Sequence, residues 1–290
     1  MQKLTFEETV KKIKSLEIQG AENIAVKAVE AFAEKLKITK SKTKLQKYLK
    51  ELIGARPTEP ALQNALNYCF ANFEKEKNIA QKVLKHFNEN RKIISKNGAS
   101  IIKSGMKIFT HCHASTVTRI LIEAHRQGKK FTVYNTETRP RYQGRLTAEE
   151  LAKAGIRVTH SVDSAGRQMV KKCDLFLIGC DSITKSKKVI NKIGTESFFD
   201  AARENKIPVY VCTNSWKFDT TSTDKKDTKI EERNPKEVWD KPPRNVTIYN
   251  PAFEKIDLYK VTSIITELGI LKPNKFIRKV KKTYPYLFKK

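Results

Sequence analysis

In the stretch THCHAST, residues 110–116, Cys112 stands between His111 and His113, where the apolar run KIFTHC gives way to a helical pattern. A second apolar run, LFLIGCDSI, ends near Asp181. A thiol and a carboxylate can exchange protons once the fold brings them together, one as base and the other as acid. Other polar residues stand at comparable positions, several of them donors that suit an anion. FTVYNTETRPRYQG carries Thr138, Arg139 and Gln143 beyond its apolar run, VTHSVDSA offers Asp163 and Ser164, and VYVCTNSWKF ends near Lys217. Taken alone, a cysteine at a strand end is most often a small packing residue. Asp181 alone reads equally as a turn cap. His111 and His113 have no third ligand at metal spacing, so no metal and no cofactor is expected.

For these residues to act together they must share one rim. Up to about residue 104, segments such as FEETVKKIKSLEIQGAENIAVKAVEAFAEKL repeat apolar residues at three- and four-residue steps, the period of an amphipathic helix. Pro57 and Pro60 in GARPTEPALQNAL punctuate a junction between two of these helices. From about residue 105 the texture changes. KIFTHC, FTVYNT, RVTHSV, DLFLIGC, PVYVCT and SIITEL alternate with helical segments such as LTAEELAKAG, AGRQMVKKC and GTESFFDAARENK. Alternating strand and helix specifies a doubly wound, mainly parallel Rossmann-like α/β sheet, whose ligands bind at the carboxyl ends of the strands. The reading is a helical N-terminal domain over 1–104, then a sheet domain over 105–290 ending in a basic helix.

Composition narrows the partners. The chain has 290 residues, 58 of them Lys or Arg against 31 Asp or Glu, for a net charge of +27. Such charge raises a nucleic-acid or ribosome reading. However, only 13 of the 58 are arginine and the lysines are spread along the whole chain, which a lysine-rich or heat-adapted surface also gives. The tail KPNKFIRKVKKTYPYLFKK, with eight basic residues and no acidic one, reads as an amphipathic helix with a solvated basic face. Five scattered cysteines without CxxC spacing, no signal-peptide pattern and no long apolar run give the expectation of a cytoplasmic protein with reduced thiols and no membrane span.

The motifs THCHAST, TETRPRYQGRLTAEELAKAGI, VDSAGRQMVKKCDLFLIGCDSI, VINKIGTESFF, PVYVCTNSWKFD and NPAFEKIDLYKVTSIITELGIL follow one another in this order. The ordered set resembles a superfamily that joins the alpha, beta and delta subunits of translation initiation factor 2B with methylthioribose-1-phosphate isomerase and the archaeal ribose-1,5-bisphosphate isomerases. EIQGAENIA and ARPTEPALQNAL extend the resemblance through the N-terminal region.

In the isomerases of that superfamily a cysteine in the first sheet motif and an aspartate in a GxD motif are catalytic. The resemblance carries these onto Cys112 and Asp181, whereas the regulatory alpha subunit generally lacks the pair. It further implies that Asn191 and Lys192 touch the sugar or its phosphate, as do Gly20, Ala21 and Arg56; Arg139, Gln143 and Lys217 complete the candidates. GTESFF opens a helix at Gly194 and Thr195, another anion site. The chemistry is aldose–ketose isomerisation, with Cys112 as base, its thiol brought down from about 8.5 by a helix N-terminus and a cation. Asp181 is the acid, its carboxyl raised by apolar burial.

Two departures stand out. Gln19-Gly20-Ala21 replaces the usual Arg-Gly-Ala, removing a bidentate phosphate clamp, and Cys180 stands where alanine is common. The expected activity is conversion of ribose 1,5-bisphosphate to ribulose 1,5-bisphosphate in archaeal nucleotide salvage, by a dimer or larger homo-oligomer. The alternative is a non-catalytic initiation-factor-2B-like protein that senses a nucleotide or sugar phosphate.

Overall fold

The computed structural model describes residues 4–222 and 230–288. Five helices come first: α1 (Phe6–Lys14), α2 (Ala21–Ile38), α3 (Lys42–Ala55), α4 (Pro60–Asn72) and α5 (Ile79–Ser100). Helix α1 begins with a capping box, the Thr5 hydroxyl accepting from the Glu8 N–H while the Glu8 carboxylate accepts from the Thr5 N–H. Pro60 occupies the first turn of α4, where its missing N–H costs nothing. Helix α2 runs through the centre of this layer and buries Ala25, Ala28, Val29 and Phe32. The C-terminal half of α5 leaves the layer to lie along α6 (Ser115–Arg126) on one face of the sheet.

The sheet that follows has seven strands in the order β11-β10-β7-β4-β1-β2-β3. They are β1 (Lys107–Thr110), β2 (Thr132–Thr136), β3 (Arg157–Ser161), β4 (Leu175–Ile178), β7 (Val209–Cys212), β10 (Ser263–Thr266) and β11 (Gly269–Leu271). All neighbours are parallel except the terminal hairpin of β10 and β11. All six runs read as strands in the sequence are strands of this sheet. Chain order reverses between β1 and β4, so the crevice where α/β folds bind ligands opens at the carboxyl ends of those two strands. Helices α7 (Gln143–Lys153), α8 (Gly166–Val170) and α9 (Thr195–Glu204) complete the crossovers.

A second sheet was not legible in the sequence. Strands β5 (Ser182–Thr184), β6 (Lys188–Lys192), β8 (Phe218–Asp219) and β9 (Phe253–Asp257) form it in the order β8-β5-β6-β9. These strands are short and carry lysines, so they lack the apolar runs that mark the larger sheet. The segment VINK falls in β6, which delivers Asn191 and Lys192 to the end of that strand.

Phe109, Phe176, Phe198 and Phe199 pack edge to face under the larger sheet, and the same core continues into the N-terminal helices. The basic tail is helix α10 (Pro273–Thr283), with Phe276 and Val280 fully buried. A 3-10 turn, Pro285–Phe288, then sets Tyr286 against Tyr68 and Trp216. Lys289 and Lys290 of the tail lie outside the described residues. Among the described residues no helix is long and apolar enough to cross a membrane.

Candidate active site

The chain leaves β1 through His111 and Cys112. The Cys112 backbone is in the left-handed region, at φ 65°, a conformation a non-glycine residue holds only when its surroundings fix it. They do. The Cys112 N–H donates to the Thr138 hydroxyl at 3.0 Å, and its carbonyl accepts from the Thr147 hydroxyl at 2.9 Å. Thr138 is fixed in turn by its N–H on an Asp163 carboxylate oxygen at 2.8 Å. His111 is buried between the Thr136 hydroxyl at 2.7 Å and the Ile193 carbonyl at 3.2 Å. Burial holds its pKa down to about 4, so it is a neutral brace between β1 and the turn before α9. His113 is also held low by burial and bonds the Thr147 hydroxyl at 3.1 Å.

Asp181 follows β4, the neighbour of β1. Gly179 makes the approach possible: a Cβ there would meet the Ala114 methyl at 2.5 Å, so only glycine lets this loop close on the start of α6. The Asp181 N–H donates to the Ile190 carbonyl at 2.9 Å, which pins the loop to β6. Thiol and carboxyl then line one cavity of about 590 Å³, roofed by the N-terminal helices.

The same cavity is lined by Gly20, Ala21, Arg56, Gln143, Asn191, Lys192 and Lys217. Gly20, at φ 83°, caps α2 in a conformation that suits glycine, so Ala21 and the first turn of an 18-residue helix open on the cavity. Lys192 is 7% exposed and makes no ion pair among the described residues, its ammonium 5.9 Å from the Phe253 ring centre. Lys217 donates to the Cys180 carbonyl at 2.6 Å. Asn191 donates to the Thr195 hydroxyl at 3.0 Å, tying β6 to α9. The Gln143 side-chain oxygen is buried without a hydrogen-bond partner.

Arg56 is less free than the sequence implied. Its two terminal nitrogens contact Glu231 at 3.1 and 2.7 Å, while its Nε is buried without a hydrogen-bond partner among the described residues. Arg139 requires a correction, because it does not line the cavity. Its guanidinium bonds the Tyr142 hydroxyl at 2.7 Å and the Val238 carbonyl at 3.3 Å, a geometry that turns it outward. Gln19, where the usual arginine is missing, folds its amide back onto the Leu16 carbonyl at 2.7 Å.

Three of the charged lining residues that the sequence did not single out bear on ligand binding. Arg91 from α5 pairs with Glu22, and Arg119 of α6 stands near both without an ion pair of its own among the described residues. The spacing of Arg119 from Ser115, one helical turn, was the available signal. The third is Glu59, at the start of α4.

Electrostatics correct one expectation and agree with another. Burial, opposed by the Lys192 charge, pushes the Cys112 thiol up to about 11 rather than down. The helix and the lysine do not outweigh loss of water around the sulfur. Burial likewise raises Asp181 above the usual carboxylate range, against Lys217, Lys192 and Arg56. Both shifts run the same way and favour the protonated forms, the thiol of Cys112 and the neutral carboxyl of Asp181.

The other four cysteines are buried, whereas Cys112 is only partly so. A small alkylating agent is therefore expected to label Cys112 first, slowly at pH 7 and up to tenfold faster per pH unit through pH 9, as the thiolate fraction grows. Peptide mapping after brief exposure reads this directly. Labelling of Cys173 or Cys180 ahead of Cys112 would contradict the geometry.

A doubly wound sheet with a thiol and a carboxyl at its switch point, facing cations from the helical layer and from the smaller sheet, forms a cavity suited to an anionic ligand. The chain belongs to the Initiation factor 2 subunit family, whose pattern matches residues 17–273. It is 36% identical over 282 residues to the ribose 1,5-bisphosphate isomerase of Methanocaldococcus jannaschii, covering 92% of each chain. It is also 36% identical over 298 residues to the methylthioribose-1-phosphate isomerase of Thermotoga maritima, covering 93% of this chain and 87% of that one. The solved Pyrococcus horikoshii translation initiation factor eIF-2B superposes with a TM-score of 0.83 at 29% identity, over 93% of this chain and 98% of that one.

Proposed function

We propose that this chain is an aldose–ketose isomerase acting on a phosphorylated pentose, and that its substrate is ribose 1,5-bisphosphate, converted to ribulose 1,5-bisphosphate. The observation that carries the reading is the convergence of Cys112 and Asp181 on one cavity rich in cations. Relatives at the same identity act on a bisphosphate or on a monophosphate, so identity alone does not choose between them. The cavity wall supports the bisphosphate. Lys192, Lys217 and Arg56 are the cations that act on Asp181. Arg91 and Arg119 form a separate cluster with Glu22 and Glu150, beside the first turn of α6. Lys192 in the first group and Arg119 in the second, neither in an ion pair among the described residues, suit a ligand with two phosphates.

In the proposed reaction the pair carries one proton throughout, and the reactive arrangement has it on Asp181. The Cys112 thiolate takes the proton from C2, the C2–H electrons form the C1–C2 double bond, and the C1–O4 bond breaks as Asp181 protonates O4. The Asp181 carboxylate then takes the proton from the C2 hydroxyl, the ketone forms, and C1 receives the proton held by Cys112. Each residue ends as it began, so no cofactor is consumed. The Lys192 charge, which favours the thiolate, helps offset the cost of ionising a buried thiol.

The test compares two substrates. Purified protein is expected to turn over ribose 1,5-bisphosphate with kcat/KM at least about tenfold above that for methylthioribose 1-phosphate, since a second phosphate meets charged groups that the monophosphate leaves idle. The reverse ranking would assign the monophosphate. Tight binding of either compound without turnover would favour the sensing protein instead.

A further inference from the structure

Glu59 is buried, 4% exposed, and lines the cavity, yet nothing so far uses it. It precedes Pro60 at the start of α4, where an acidic side chain ordinarily accepts from the free N–H groups of the first turn. It makes no such bond. One carboxyl oxygen stands 3.8 Å from the Arg56 Nε, and the other is buried with no hydrogen-bond partner among the described residues. The Arg56 Nε is itself without a hydrogen-bond partner among them, while Glu231 contacts the other two nitrogens. Buried polar atoms without partners are rare, since each costs about 1–3 kcal/mol. Two on adjoining residues that both line one cavity point to a ligand that satisfies both.

We propose that Glu59 is a substrate-contacting residue whose carboxyl group, bearing its proton, donates a hydrogen bond to a phosphate oxygen of the bound sugar phosphate beside the Arg56 Nε. The inference rests on the sugar-phosphate reading of the cavity. An ionised Glu59 would repel a phosphate, whereas a protonated one supplies a donor that an anion needs. The groups facing it are Asp181 from the loop after β4, Lys217 from the 3-10 turn Ser215–Lys217, Arg56 from the end of α3, and Glu231. Burial and the Asp181 carboxylate raise the Glu59 pKa to about 8, against Lys217 and Arg56. Below that value the donor is present. Above it, binding must take up a proton, so affinity falls as pH rises.

The experiment is calorimetric titration with ribose 1,5-bisphosphate between pH 7 and 9.5, where its phosphates are already dianionic. The full chain carries Cys112→Ser to suppress turnover. The Kd is expected to rise up to about tenfold per pH unit above pH 8. Adding Glu59→Gln, which keeps a donor and cannot ionise, is expected to hold affinity at pH 7 within about threefold and to flatten that rise. Adding Glu59→Ala is expected to weaken binding at pH 7 by at least about tenfold. An unchanged slope in the Gln variant, full affinity in the Ala variant, or no binding at any pH would overturn the proposal. Turnover by the wild type, assayed in parallel, decides the isomerase reading separately. A protein that binds with this pH dependence yet never turns over keeps Glu59 as a ligand donor and is not an isomerase.

Discussion

Cys112→Ser and Asp181→Asn are each expected to lower kcat by at least about a thousandfold while substrate still binds within about tenfold of wild type. Each variant keeps the shape of the site and removes one proton-transfer group, so the loss falls on the transition state rather than on binding. Serine cannot supply an anion at accessible pH, and asparagine cannot protonate the ring oxygen. Because the two groups share a proton, the double variant is expected to be scarcely worse than either single one, as for residues that act as a unit. Steady-state kinetics with calorimetric binding separates the two quantities. Full activity in either folded variant would remove that residue from the chemistry.

Lys192→Ala carries the largest expected effect on binding. Its side chain is nearly buried and forms no ion pair among the described residues, so a phosphate that reaches it forms a desolvated charge pair of about 2–5 kcal/mol, or roughly thirtyfold to several thousandfold in Kd. Arg56→Ala is expected to weaken binding less, since two of its nitrogens already serve Glu231. Arg139→Ala is the control, with its guanidinium bound to Tyr142 and Val238 outside the cavity, and less than a threefold change is expected. A larger loss at Arg139 than at Lys192 would move the ligand out of this cavity.

Much of this arrangement could be read before the fold was known. The inner strands of the seven-stranded sheet include apolar, largely buried runs such as LFLI and VYVC, and such runs mark themselves in a sequence. Their carboxyl ends carry Cys112 and Asp181, and the order reversal between β1 and β4 places both at one crevice. The smaller sheet had no such signature, because strands like KVINK mix lysine with valine and earn their pairing from partners 60 residues away. Glu59, Arg91 and Arg119 come from three separate helices, and no local period brings them together. The Cys112 thiol shows why direction can mislead: a helix start and a lysine are visible in sequence, but the burial that outweighs them is a property of the closed cavity. Arg139 erred for the opposite reason, since its strand end was right and its side chain turned away.

Isomerisation itself is the most direct test. The pure protein, incubated with ribose 1,5-bisphosphate and followed by phosphorus and carbon NMR, is expected to form ribulose 1,5-bisphosphate catalytically, with a matched Cys112→Ser preparation forming none. Wild-type protein that binds ribose 1,5-bisphosphate in this cavity and leaves it unchanged would contradict the account.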